Sequence, residues 1–419
     1  MKQKLISCCF ITAFLLLVTQ CVLAIDRRKD QSPREFEYAF VPYAMKMPGI
    51  GSWVGIGGGM SNVFGSETDL FLATLSGDLN GYVGAITEFP IFTQHFTLNY
   101  FRTDFSKGSI QTYGRGIESD PEEYQVIITD KAVYNTYMLN IKLWEKRLHL
   151  YASKGDGVFN LDSLLNNDGD EIAEVTKEEQ KYQVSDVGIV FDYTDDRLDP
   201  RKGIRFEGRK ADSPREDDFD PLYYRAEYNI AVYIPIGSIN TWVFNYFQSD
   251  AIVQEQGETD KTVIRSEQGI DCSLNPSTET ECNEKLDEIV EQVYANNKYG
   301  TASSLGGVMN MRSYPQGRFY AAHTMFYGSE FRWNLTEEFT PFDIFLAKGV
   351  RTSFQLAFFY EKATLADEVE DMGKDWVESY GTGVRMVLAG GFIFRLDVAN
   401  GNEGVQTQLF LNYPWGLFY

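Results

Sequence analysis

The sequence predicts an all-β chain: a 16-stranded antiparallel transmembrane β-barrel with a long extracellular loop folded toward the lumen. Three observations predict it. In segment after segment, apolar and charged residues alternate with a period of two. Tyr224, Ala226, Tyr228, Ile230 and Val232 share one side of an extended chain, and Arg225, Glu227 and Asn229 the other. Phe354, Leu356, Phe358 and Tyr360 likewise oppose Arg351, Ser353, Gln355 and Glu361, and Tyr137, Leu139, Ile141 and Leu143 oppose Asn140 and Lys142. Such strands suit lipid on one face and water on the other. The second observation is composition: aromatics make up 15% of the chain and glycines number 36, yet no stretch reaches the roughly 18 to 20 apolar residues of a helical span. The third is export. Lys2 and Lys4, the apolar run Phe10 to Val18 and Val22-Leu23-Ala24 form a cleavable signal.

The domain organisation follows. Residues 1–24 are the expected signal peptide, with cleavage after Ala24 favoured over lipidation at Cys21. The charged segment 25–35 is expected to be short, disordered and periplasmic, and 36–419 to form the barrel. Alternation bounded by turn chemistry places strands at 36–47, 51–63, 67–77, 79–91, 94–107 and 132–144, then at 146–154, 182–195, 203–211, 221–236 and 239–252. The rest are expected at 320–335, 343–361, 378–389, 391–399 and 404–413, an even total. Short turns such as Glu145-Lys146-Arg147, Pro235 to Ser238 and Gly390-Gly391 then fall at the periplasmic end. The long links 108–131, 155–181, 253–319 and 362–377 all fall outside, and that parity supports the count.

Of the five cysteines, only Cys272 and Cys282 lie beyond the signal, and a close pair in an oxidising compartment is expected to be a disulfide. A formal net charge of −22 argues against nucleic acid as a partner. His95, His149 and His323 are too scattered for a metal site or a catalytic triad. Asn166 to Glu171 hints at calcium but puts Leu164 where an EF-hand needs its first ligand. No enzyme motif and no cofactor site is found.

Four segments share an order with one known family. Leu305-Gly306-Gly307 precedes Met311-Arg312-Ser313-Tyr314, and Glu330-Phe331-Arg332 follows on a strand. Asp192 to Gly203 is an Asp-rich strand end that runs through Asp195 to a Pro200–Gly203 turn, where proline sets φ and glycine relieves it. Phe359-Tyr360-Glu361 and Gly391 to Asp397 complete the set. Together they resemble the BamA/TamA outer-membrane insertase and translocase superfamily, the bacterial surface antigen type of barrel. The resemblance covers about residues 36 to 419 and departs at Ser313 and Ala363, where glycine is usual. It implies that the loop bearing Gly306, Gly307, Arg312 and Tyr314 enters the lumen and that Arg312 pairs with Glu361 beside luminal Glu330 and Arg332. Arg395 and Asp397 are also expected in the lumen, and Val405, Thr407, Leu409, Leu411 and Tyr413 against lipid. Pro414 cannot donate to a ladder, so pairing is expected to stop near Tyr413.

The implied location is the Gram-negative outer membrane, and the implied activity is protein or lipid insertion or translocation by a monomeric barrel. Outer-membrane lipid is the expected partner. The 25–35 segment leaves no room for the family's polypeptide-transport-associated (POTRA) domains, so a separate POTRA-like or client protein is a further expected partner. A soft seam between first and last strands, compatible with Gly55-Ile56-Gly57-Gly58-Gly59, would supply the mechanism. A surface-exposed binding barrel and a passive pore are the alternatives.

Overall fold

A computed structural model describes residues 36–173, 179–213, 215, 217–269, 272, 279–336, 342–344, 347–350, 352–388 and 392–415. The expected signal peptide, the 25–35 segment, the Gly390-Gly391 turn and the terminal Leu417-Phe418-Tyr419 lie outside these residues.

Successive strands pair as antiparallel hairpins. The first seven are β1 (Glu37–Met47), β2 (Gly51–Val63), β3 (Thr68–Gly77), β4 (Asn80–Pro90), β5 (Phe96–Thr112), β6 (Gln125–Leu143) and β7 (Leu148–Leu165). A three-residue strand, β8 (Glu171–Ala173), pairs onto the end of β7. The wall continues through β9 (Glu179–Thr194), β10 (Gly203–Asp212), β11 (Leu222–Ile236), β12 (Asn240–Glu255) and β13 (His323–Asn334). Two short strands, β14 (Phe342–Ile344) and β15 (Ala347–Val350), form a separate hairpin. The wall then resumes with β16 (Thr352–Ala366), β17 (Val377–Leu388), β18 (Phe392–Gly401) and β19 (Gly404–Leu411). Setting aside β8, β14 and β15, 16 of the 19 strands make the wall, and β1 meets β19 to close it.

The alternation sorts as physics requires. Tyr137, Leu139, Tyr228, Phe358 and Tyr360 are exposed on the outside, where lipid would cover them, while Asn140, Lys142, Glu227, Asn229, Gln355 and Glu361 are buried within.

Several boundaries differ from expectation. The links 108–131 and 155–181 shrink because β5, β6 and β7 run well past their expected ends, through stretches where polar residues and glycines interrupt the apolar outer face. That polarity hid the extension from a reading based on hydrophobic alternation. The strand expected at 343–361 instead divides, and its main part continues to Ala366, so Glu361 sits within a strand rather than at its end.

The long link after β12 is not all loop. It holds α1 (Lys261–Glu267), capped by Asp260, whose side chain accepts from Thr262 N, and α2 (Glu279–Tyr299). Leu286, Val290, Val293 and Tyr294 fall at helical spacing on α2 and pack with Ile264 and Phe219. The Cys272–Cys282 disulfide is present, with Cα atoms 5.5 Å apart. Asn297, buried at the base of the insertion, donates to Phe219 O and Glu258 O at 3.0 and 2.9 Å.

Candidate functional site

Beyond α2 the chain turns into the barrel. Leu305 and Phe319 bond each other's backbones at 2.7 and 2.9 Å, which makes the base of a narrow loop. Gly306 and Gly307 hold φ of +109° and +103°, where L side chains are strained. A Cβ on Gly306 would also stand 2.3 Å from Pro315 O. The glycine pair thus permits a bend that no other residue would. Leu305, Met311, Tyr314, Phe319 and Ala321 pack against Tyr233, Phe247, Phe326 and Val377 of the wall, so the loop fills this part of the lumen.

Arg312 sits at the loop tip, fully buried. Its backbone N donates to Glu361 Oε2 and its Nε to Glu361 Oε1, both at 2.8 Å. Its Nη1 reaches Glu330 Oε2 at 2.8 Å and Asp397 Oδ2 at 3.2 Å. The guanidinium also lies 3.4 Å from the ring centroid of Phe359, a close cation–π contact. The carboxylates are shared in turn. Glu330 accepts from Arg332 at 2.9 Å and Arg385 at 3.0 Å, and Asp397 accepts from Arg385 at 2.6 Å and Arg395 at 3.1 Å. Four arginines therefore surround three carboxylates across β13, β16, β17 and β18. Buried charges persist only when paired and hydrogen-bonded in this way.

The remaining tip contacts fix its depth. Ser313 N donates to Ser379 Oγ at 3.1 Å, the Tyr314 hydroxyl to Glu378 O at 3.0 Å, and Gln408 Nε2 to Arg312 O at 2.6 Å. Arg395 Nη2 donates to Val308 O at 2.5 Å.

The chain's C-terminal segment joins this site, contrary to expectation for Tyr413. β19 ends at Leu411, and Asn412 takes φ +65°, which swings Tyr413 off the outer face into the interior. There its hydroxyl lies 2.6 Å from Asp199 Oδ1 and 2.7 Å from Gln355 Oε1. Trp415 Nε1 donates to Glu361 Oε1 at 3.0 Å, and its backbone N to Met309 O at 3.0 Å. Gly328 makes room for the indole, since a Cβ there would meet its ring at 2.6 Å.

The Asp-rich turn stands apart from the loop tip but is tied to it through Tyr413. Asp195 Oδ1 accepts from Arg201 N and Lys202 N at 2.8 and 2.9 Å, bridging the Pro200 turn, and Gly203 has φ +117°. Sequence reading thus named Arg312, Glu361, Glu330, Arg332, Arg395 and Asp397, and it missed Arg385, Gln408 and Trp415. Arg385 carried a signal, because it alternates with the outward Val384 and Met386. Trp415 carried none, because it lies past the last strand.

At the long-loop end, Arg318 donates through Nε to both Glu403 oxygens at 2.9 and 3.1 Å, and through Nη1 to Ser119 Oγ at 2.7 Å. Burial raises the Glu403 carboxyl pKa, and the Arg318 charge opposes that rise. Arg115 grips Asp367 at 2.7 Å and Gly300 O at 2.6 Å. These two clamps bind four separate loops into one cover.

Wall, inserted loop and the inward segment from Asn412 to Trp415 define a closed, loop-plugged β-barrel. Among solved structures, CdiB from Escherichia coli has this fold, with a TM-score of 0.52 and 8% identity over 89% of this chain and 61% of that one. BamA from Haemophilus ducreyi lacking POTRA domains 1–3 aligns over 91% of this chain and 70% of that one, at TM-score 0.48 and 13% identity. CdiB from Acinetobacter baumannii aligns over 91% and 60%, at TM-score 0.49 and 10% identity. The chain thus spans under two thirds of the length of either CdiB. No protein-family model matches the sequence. No curated protein matches it either.

Proposed function

We propose that this chain is a Gram-negative outer-membrane barrel that assists insertion or translocation of protein, or of lipid, through the seam between β1 and β19. In this reading the short-turn end faces the periplasm, and the helical insertion faces outward. The observation that carries the proposal is the seam. β1 pairs with β2 along its whole length, Glu37 to Met47, but, among the described residues, with β19 through Lys46↔Leu409 alone. β15 covers the start of β1 at Tyr38↔Lys348 and Ala39↔Ala347. Between these two contacts, Phe40 to Met45 have no ladder partner on that side among the described residues.

Unpaired strand edges are costly in hydrocarbon and accept incoming strands readily. An extended client segment could add there by backbone pairing, with little new structure to be made. The lumen is meanwhile filled by the Arg312 loop, which argues against a passive pore. A disulfide between Lys46→Cys and Leu409→Cys tests the mechanism. The locked barrel should fold but fail to restore the outer-membrane protein inventory of a depleted strain, and reduction should rescue it. A normal inventory with the seam locked would rule the proposal out.

A surface-binding role is the second reading, favoured by the disulfide-clipped helical insertion. It predicts an unchanged inventory on depletion and loss of an outside partner on deletion of the insertion.

A further inference from the structure

The chain is strongly acidic overall, yet its cations gather on one part of the outer wall. The five consecutive wall strands β5, β6, β7, β9 and β10 each carry at least one: Arg102, Lys131, Lys154, Lys181 and Lys210. Register shows that they face outward. Lys154 pairs with exposed Tyr137, Lys210 with exposed Val187, and Arg102 lies two residues beyond Tyr100, the partner of Tyr137. On each strand the cation comes next on the long-loop side of apolar outward residues such as Leu139, Leu150 and Ile189, although Arg102 and Lys154 fall nearer the short-turn ends of the long strands β5 and β7. On the other eleven wall strands, only Lys46 and Lys362 are outward Lys or Arg among the described residues.

Tyrosines mark the level of the row. The rings of Tyr100 and Tyr137 meet tilted, with centroids 5.0 Å apart, and Lys210 lies 4.5 Å from the ring of Tyr224. Aromatic girdles of this kind sit where hydrocarbon gives way to headgroups. Three of the cations are ion-paired to outward carboxylates, Arg102–Asp104 at 2.7 Å, Lys131–Glu179 at 3.2 Å and Lys210–Asp212 at 3.4 Å, and Asp156 stands two residues beyond Lys154 on the same face, accepting from Asn135 Nδ2 at 3.3 Å. Such solvent-facing pairs are weak and can exchange partners. Lys154 and Lys181 have no ion-pair partner among the described residues.

We propose that this wall, on the side away from the seam, binds the phosphate groups of anionic lipid in the leaflet on the long-loop side. The proposal rests on the outer-membrane reading above. The cations adjoin the apolar band directly, so the ligand that meets both surfaces carries acyl chains and phosphate together. A phosphate elsewhere on this acidic molecule would be repelled. Binding here would also hold the barrel by its rigid side and leave the seam free of tightly held lipid.

The test uses the full mature chain, folded in detergent, with bound lipid read by native mass spectrometry. Bisphosphorylated lipid A should be retained, and its dephosphorylated counterpart should not. Replacing Arg102, Lys154 and Lys181 together by Gln should weaken retention roughly a hundredfold, at about fivefold per cation. Lys362→Gln, on another part of the wall, should leave it unchanged. Inorganic phosphate alone should not displace the lipid. The inference is overturned if the dephosphorylated lipid binds equally, if the triple variant retains lipid A, or if free phosphate competes at equal concentration. A chain that inserts into no bilayer would instead refute the membrane reading. The comparison of the two lipids on the unaltered protein stands even if the triple variant fails to fold.

Discussion

Arg312 is one side chain with three carboxylates, an aromatic face and a buried backbone around it, so its removal leaves charges with nowhere to go. Arg312→Ala strips Glu361 of its direct cation and should cost about 3 to 5 kcal/mol, as broken buried pairs do. A lowered unfolding temperature of the folded, heat-modifiable barrel would register this, and an unchanged one would refute the assigned role. Arg312→Lys should recover only part of the loss, because an ammonium cannot serve Glu361, Glu330 and Asp397 with a planar fork. The double variant Arg312→Ala with Glu361→Gln should lose less than the sum of the two single changes. Gly306→Ala should destabilise by more than the usual glycine-to-alanine effect, through both φ +109° and the approach of Pro315 O. The pairing of Arg312 with Glu361 was legible through the resemblance of its flanking motifs. The part played by Trp415 was not, since it depends on where the chain goes after pairing ends.

At the scale of elements, the helical insertion is the piece most separable from the wall. Its small core of Ile264, Leu286 and Val290 is closed by a disulfide that spans ten residues. A short closed loop of this kind contributes roughly 2 to 3 kcal/mol to the insertion's own stability. Reduction should therefore expose residues between Gly257 and Gly300 to protease while the wall resists. Equal resistance before and after reduction would mean that the Asn297 anchors suffice. The helix was readable in the spacing of Leu286, Val290, Val293 and Tyr294, but an acidic, polar sequence inside a long link suggested only loop. Strand ends proved harder for a related reason. β6 and β7 continue outside the apolar band, where hydrophobicity no longer reports on strand pairing.

For the whole molecule, the inserted loop and the loop clamps leave no open conduit in the region they fill, so the intact barrel should pass little current in a planar bilayer. Deleting Gly306 to Tyr320 removes the Arg312 tip and the Arg318 clamp together, and large, steady conductance steps should appear. Large steps from the intact chain would contradict the plugged lumen.

The sequence by itself determined the wall. Alternation fixes which side chains face outward and which face the interior, and the parity of short turns and long links fixes how many strands return to the same end. It also determined the disulfide, because a close cysteine pair in an exported chain serves few other purposes. Only the tertiary structure decided the seam and the inward turn of Tyr413 and Trp415. A ladder between β1 and β19 joins the two ends of the chain, and no local pattern states how many residues will pair there. The four-arginine cluster was likewise beyond local reading, because the inserted loop and β13, β16, β17 and β18 bring its charges together from sites up to 85 residues apart. Each charge is tolerable only because the others are present.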